Sequence, residues 1–320
     1  MKIETHLPSL ASLPDTYGIY LSEWSAITVS GEDRDKYLQG QVTCDVINAN
    51  DSDLIFGAHC DAKGKTLSAF RLIKRGATAL LLQPKSSLST SLTALQKYGV
   101  FAKVSIEETT DLAIFTLVGE RGAGILRSNF QQIPDSLTPV IQVGSTTIVY
   151  FGGQQSRYLL IDNKDTIETF FDTTELAIYP QSVWDLLEIN EGFPILNEST
   201  VNQYVPQMLN IQAIHGISFT KGCYLGQETI ARMQYLGKNK RALYALVGSS
   251  TMPLNADDVI EIQMGENWRK AGDMLASYRA DDGTVYLQAV LSSDMDSDTH
   301  LRLRSNEQPL SIVALPYSLT

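Results

Sequence analysis

Along the first part of the chain, short runs with strand-like hydrophobic patterning alternate with stretches of helical period. Ala26–Val29 reads as a strand, followed by a helix whose start is marked by Ser30 with Asp33 three residues on. Strand-like runs recur at Ala79–Leu82, Leu112–Val118, Thr147–Phe151 and Tyr158–Ile161. The stretch KSSLSTSLTALQKYG is rich in Ser and Thr, yet Leu88, Leu92 and Leu95 recur at helical spacing and Gly99 suits a C-terminal cap. It is therefore an amphipathic helix and not a linker. Around Pro180 a further helix carries Val183, Trp184, Leu187 and Ile189 before the chain stops at Gly192 and Pro194.

Beyond Arg241 the texture changes. ALYALVG, DVIEIQM, DMLASYR and TVYLQAV are strand-like runs, broken by turn signals at MGEN and ADDG. The pattern divides the chain into an α+β region over 1–240 and a small all-β unit, sheet or barrel, over 241–320.

Composition narrows the function classes. The formal net charge of −11 repels nucleic acid at long range, so any contact with RNA is weak, local or indirect. Cys44, Cys60 and Cys223 are odd in number, scattered and in no CxxC pair, which supports neither a disulfide framework nor a zinc ribbon. His6, His59, His215 and His300 form no ligand spacing, so no metal site is expected. No apolar run is long enough to span a bilayer, and MKIETHLPSL lacks the basic and hydrophobic regions of an export signal. The expectation is a soluble cytoplasmic protein with no membrane partner.

The stretch FTKGCYLGQETIARM carries the most specific chemistry. Gly222 and Gly226 flank Cys223 and Tyr224, so the backbone there can bend sharply and approach a ligand closely. QETIARM is a good helix former, with Glu228 in the first turn, where its charge favours the helix dipole. Cys223 then sits ahead of a helix N-terminus and two residues from Lys221, and both features stabilise a thiolate. The alternatives are a small buried cysteine and a solvated lysine. Downstream, Arg232, Lys238, Lys240 and Arg241 join Lys221 in a local basic patch: either a solvated helix end or a grip on a polyglutamate tail, a phosphate or an RNA backbone.

NIQAIHGISFTKGCYLGQETIARMQYLGKNKRAL resembles the signature of the YgfZ family, with Lys221, Gly222, Cys223, Tyr224, Gly226, Gln227 and Glu228 matching the core K-G-C-Y-x-G-Q-E. The resemblance continues in KYLQGQVTCDV, AHCDAKGK, WDLLEINEGFP, MGENWRKAG and LPYSL, and so covers nearly the whole chain. Members of this family are folate-binding proteins linked to tRNA modification and to the upkeep of iron-sulfur enzymes, and are related to the glycine-cleavage T-protein. The resemblance implies a fold of two interleaved α+β halves that bind folate, followed by a small β-barrel.

It also implies tetrahydrofolate as cofactor, with the pterin held against Trp24 and Trp184 and with Glu191 at the pterin edge. On periodicity alone, Trp184 is a core residue. The paired acidic motif of T-proteins, one carboxylate of which is their acid/base group, falls here on Ser68 and Ala69, and neither can serve as that base. Asp61 is the nearest acidic residue. The expected function is folate binding in support of tRNA modification, through maintenance of iron-sulfur enzymes such as tRNA methylthiotransferases, with Cys223 as the working thiol. The alternative is a folate-dependent one-carbon transferase or demethylase with a small substrate, using Asp61, Tyr224 or Glu228 for proton transfer.

Overall fold

The computed structural model describes residues 2–237, 239–254, 258–296 and 298–319. Lys238 of the expected basic patch lies outside the described residues. Two sheets face each other across a shared core. The first is five-stranded and antiparallel, in the order Ile55–Cys60, Thr66–Arg75, Thr78–Pro84, Trp24–Ser30, Ser105–Glu108. The second is six-stranded, in the order Ile178–Tyr179, Thr16–Tyr20, Ala113–Gly119, Arg157–Asp162, Thr146–Phe151, Val140–Val143. It is antiparallel except where Thr16–Tyr20 runs parallel to Ile178–Tyr179. Because Thr16–Tyr20 precedes the whole first sheet yet sits inside the second, the two halves are interleaved.

Both faces of each sheet are covered, which is why Thr66–Arg75 is buried nearly throughout and shows little polar alternation. Phe70 and Leu72 point outward onto Leu38 of the helix Arg34–Gln39 and onto Leu88 and Leu95 of the helix Lys85–Gly99. The outer face of the second sheet packs Phe115, Leu117 and Leu160 against the helices Gly122–Asn129 and Lys164–Asp172. Inward residues such as Ala69, Ile73, Ile19 and Leu159 meet in the central core around the helix Gln181–Glu191.

Residues 241–313 form a closed six-stranded barrel made of Arg241–Ser249, Thr284–Ser292, Asn267–Arg279, Ile260–Met264, Leu301–Leu303 and Pro309–Val313. The period of two is legible in its first strand: Ala242, Tyr244 and Leu246 fill the barrel, while Leu243 and Ala245 join the central core. The tail after the barrel returns to the α+β region, where the Tyr317 hydroxyl donates to the Gly192 carbonyl at 2.7 Å.

Three local expectations need correction. The helix after Ala26–Val29 begins only at Arg34, and Asp33 makes no side-chain capping bond. Gly99 is not a left-handed cap, since the helix ends through a right-handed Val100; a Cβ at Gly99 would come within 2.7 Å of Ile106 Cδ1, so close packing demands the glycine. The strands Leu301–Leu303 and Pro309–Val313 were not anticipated; they are short and interrupted by polar residues. Gly192 does end its helix in the left-handed region, at φ +69°.

Candidate functional site

Arg71 takes an inward position on Thr66–Arg75, between Ala69 and Ile73, where the pattern calls for an apolar side chain. It is 2 % exposed. Its Nη2 lies 2.6 Å from Glu188 Oε2, and Arg157 Nη1 donates to Glu188 Oε1 at 3.0 Å. Glu188 is fully buried on the helix Gln181–Glu191, so its one carboxylate faces two guanidiniums, with the Glu191 carboxylate the next negative charge acting on Arg71. Burial pushes the basicity of Arg71 down, Glu188 opposes the loss, and the Arg157 charge adds to it.

Aromatic faces enclose this cation. Its guanidinium carbon lies 3.7 Å from the Phe193 ring centre, 5.1 Å from Phe151, 5.4 Å from Trp24, 5.5 Å from Trp184 and 5.6 Å from Phe56. Four buried donors in the cluster find no hydrogen-bond acceptor among the described residues: Arg71 Nε and Nη1, Arg157 Nε and Trp184 Nε1. Such groups are costly to bury unmatched.

Arg71 and Arg157 border a cavity of about 630 Å³, within the roughly 300–1,000 Å³ typical of ligand pockets. Phe56, Tyr150, Phe151, Phe193 and Tyr317 supply aromatic wall, and Glu191 a carboxylate. Glu191 Oε1 accepts from the Gln154 amide at 3.0 Å, and Gly153, at φ +128°, leaves room for this carboxylate, which a Cβ would approach to 2.7 Å.

Of the three residues expected to hold folate, Glu191 lines this cavity and the two tryptophans do not. Trp24 and Trp184 pack edge to face, with ring centres 5.8 Å apart, and both rings lie against the Arg71 guanidinium. Trp184 is fully buried, and Trp24 borders a separate crevice with Lys85 and Lys164. Sequence reasoning passed over Arg71, Arg157 and Glu188. Their signal was present: charged residues inside the apolar runs LSAFRLI, RYLLI and WDLLEI.

The signature loop is built elsewhere, where several of the recognised motifs converge. Gly226, at φ +82°, caps the helix Gln227–Tyr235 and packs on the turn after Ile55–Cys60; a Cβ there would lie 2.5 Å from the Asp61 carbonyl and 2.8 Å from Gly64 Cα. The Leu225 amide donates to the Gly40 carbonyl at 3.0 Å, and Gln227 Oε1 accepts from the Tyr224 amide at 3.1 Å. Glu228 lies in the first turn of that helix. The Asp61 carboxylate accepts from the Lys63 and Lys65 amides at 2.9 and 2.8 Å, closing its own turn.

Lys221 corrects an expectation. Its Nζ donates to the carbonyls of Gln39, Val42 and Cys44 at 2.6, 2.6 and 2.7 Å, and the side chain also packs on the Tyr224 ring. Burial lowers its pKa to about 8, against the influence of Cys44 and Asp45. The ammonium thus pins the loop, and neither a thiolate at Cys223 nor a surface basic patch is among its partners. Cys223 is exposed, and beside it Gly222 faces open space at φ +95°. No residue from 219–228 lines the cavity. Phe56 on the cavity wall and Asp61 under the loop are joined by one strand, roughly 15 Å long at the usual rise per residue.

Ser68 faces away from the cavity, 3.3 Å from Ser91 on the helix Lys85–Gly99, and Ala69 is apolar core. Among the described residues, no group of three or more His, Cys, Asp or Glu side chains is placed to hold a metal ion, and no helix is long and apolar enough to cross a membrane.

Comparison with known proteins agrees with this architecture. Residues 239–307 match the family model described as "YgfZ, beta-barrel domain". The tRNA-modifying protein YgfZ of Colwellia psychrerythraea is 57% identical over 316 residues, covering 98% of this chain and 97% of that one. That of Yersinia enterocolitica is 42% identical over 307 residues, covering 94% and 92%. In structure the chain is similar to the glycine cleavage system aminomethyltransferase T from Bartonella henselae, with a TM-score of 0.72 at 12% identity over 96% of this chain and 87% of that one, a likeness of fold. With an α+β body closed by a six-stranded barrel, and with relatives aligned almost end to end, the chain belongs to the YgfZ family.

Proposed function

We propose that this protein binds a folate in the cavity beside Arg71 and supports tRNA modification in the cytoplasm, acting on iron-sulfur tRNA-modifying enzymes through the exposed thiol of Cys223. One observation carries the folate reading: a ligand-sized cavity combines flat aromatic wall with unmatched guanidinium donors and the Glu191 carboxylate. A pterin presents flat faces together with donor and acceptor edges, so it would use all three. The tRNA reading rests on the relatives, which carry the name tRNA-modifying protein. With Ser68 turned away and Ala69 inert, the T-protein carboxylate has no equivalent here, which weighs against aminomethyl transfer.

An exposed single thiol beside an open glycine suits transient contact with a partner's metal or sulfur centre, since one cysteine supplies one ligand of a cluster. The test is calorimetric titration of tetrahydrofolate into the purified protein, paired with tRNA methylthiolation measured in cells dependent on this chain. Saturable binding that weakens in Glu191→Gln, with methylthiolation lost in Cys223→Ala, is the expected result. A protein that binds no folate yet sustains methylthiolation would overturn the folate half of the proposal.

A further inference from the structure

The unmatched donors beside the cavity say more about its occupant than the presence of aromatic wall does. Arg71 and Arg157 share the Glu188 carboxylate, and three of their guanidinium nitrogens, on cavity-lining side chains, have no hydrogen-bond acceptor among the described residues. A buried pair is usually neutralised and fully hydrogen-bonded. Here the remaining donors are buried on side chains that line the cavity, among ring faces, which supply no lone pair in the plane of the guanidinium. The missing component is an acceptor. The compact, strongly apolar setting favours one carried on a flat ring over a flexible, strongly hydrated carboxylate tail.

We infer that Arg71 is the specificity-determining residue of this cavity, donating through Nε and Nη1 to the oxo group of a planar heterocycle whose donor edge is taken by Glu191. This rests on the folate reading above and assigns the pterin oxo edge to the Arg71 end. Arg157 then acts as a positioning residue, holding Glu188 so that the Arg71 fork stays in place. The site consequently rejects a pteridine that presents a donor where the oxo acceptor belongs.

Aminopterin differs from folic acid chiefly in having an amino group in place of that oxo group, so the two ligands isolate the contact without any mutation. The wild-type chain is expected to bind folic acid roughly 10–100-fold more tightly than aminopterin, the span of a hydrogen bond to a charged group. Arg71→Met leaves Arg157 and Glu188 as a balanced pair, and its folding is checked by thermal melting. This variant is expected to lose most of that preference while still binding aminopterin. Arg71→Lys keeps the charge but not the planar fork, and is expected to show a reduced preference. Equal wild-type affinity for both compounds overturns the assignment, as does a preference that survives in a folded Arg71→Met. If 4-aminobenzoylglutamate, which lacks the pterin, competes as strongly as folic acid, then the arginines read the tail and the assignment is reversed. If the wild type binds none of the three, the folate reading itself has failed, a result distinct from failure of the Arg71 assignment.

Discussion

Lys221 and its three carbonyl partners illustrate how a single side chain can pin a loop to a distant segment of the chain. Lys221→Met replaces a donor with a stem of similar length, leaving three carbonyls without the ammonium. The expected loss is about 2–4 kcal/mol, given the typical range for breaking a buried polar network. Hydrogen exchange should rise at 39–44 and 221–226 together, whereas exchange confined to one segment would show that the lysine is not the link. Cys223→Ala, at an exposed position, should change stability by no more than about 0.5 kcal/mol, so any loss of tRNA methylthiolation reports on chemistry. The two loop glycines separate conformation from space. Both have positive φ, but a Cβ at Gly226 meets the Asp61 carbonyl and one at Gly222 meets nothing. Gly222→Ala should cost about 1 kcal/mol from backbone conformation alone, and Gly226→Ala should cost clearly more, as read by urea melts.

At the scale of elements, a helix and a strand carry titrating groups whose effects run in opposite directions. On Gln181–Glu191, burial, opposed by the hydrogen bond from Gln181 and reinforced by Glu188, lifts the half-buried Asp185 carboxyl to about 7. The folded protein therefore keeps a proton that the unfolded chain releases near the ordinary value of 3.8, and stability falls as pH rises through that window. Beneath Lys85–Gly99, His59 is fully buried with Nδ1 2.9 Å from Ser91 Oγ, and burial lowers its pKa to about 4. Here the unfolded chain takes the proton first, so stability falls as pH drops from 6.5 towards about 4. Asp185→Asn should thus raise the melting temperature more at about pH 8 than at about pH 5, and an equal shift at both would refute the assignment. The elements themselves were readable where one face decides the pattern: Lys85–Gly99 from its leucines, Gln181–Glu191 from its apolar stripe and its αL glycine. Thr66–Arg75 was not readable, because burial on both faces removes the alternation by which a strand is recognised. For the same reason Arg71 is visible as a charge in an apolar run, but its inward direction is not. Its meaning depends on Glu188 and Arg157, which lie far away in sequence.

Across the whole molecule, the likeness to an aminomethyltransferase is one of fold. The cavity lies beside Arg71, the thiol stands on a separate loop, and the strand Ile55–Cys60 joins the two regions. The motifs KYLQGQV, DAKGK and KGCYLGQE are scattered in sequence but gather at one surface, which is legible from resemblance and invisible to periodicity. The resemblance points to the two tryptophans, and the fold packs both against the Arg71 guanidinium. Integration extends to the barrel: Tyr278 donates to the Pro8 carbonyl, and Tyr317 binds Gly192 and Asn210. Tyr317→Phe should lower stability by about 1 kcal/mol through these lost bonds, and should weaken folate binding if the tail helps to hold the cavity wall; urea melts and titration read the two effects separately. Because the cavity is bounded by residues from Leu54 through Tyr317, it does not exist on a ribosome until nearly all of these positions have been synthesised. A nascent chain therefore has no such cavity, and on the folate proposal above the ligand could be taken up only by a polypeptide that has already closed its barrel.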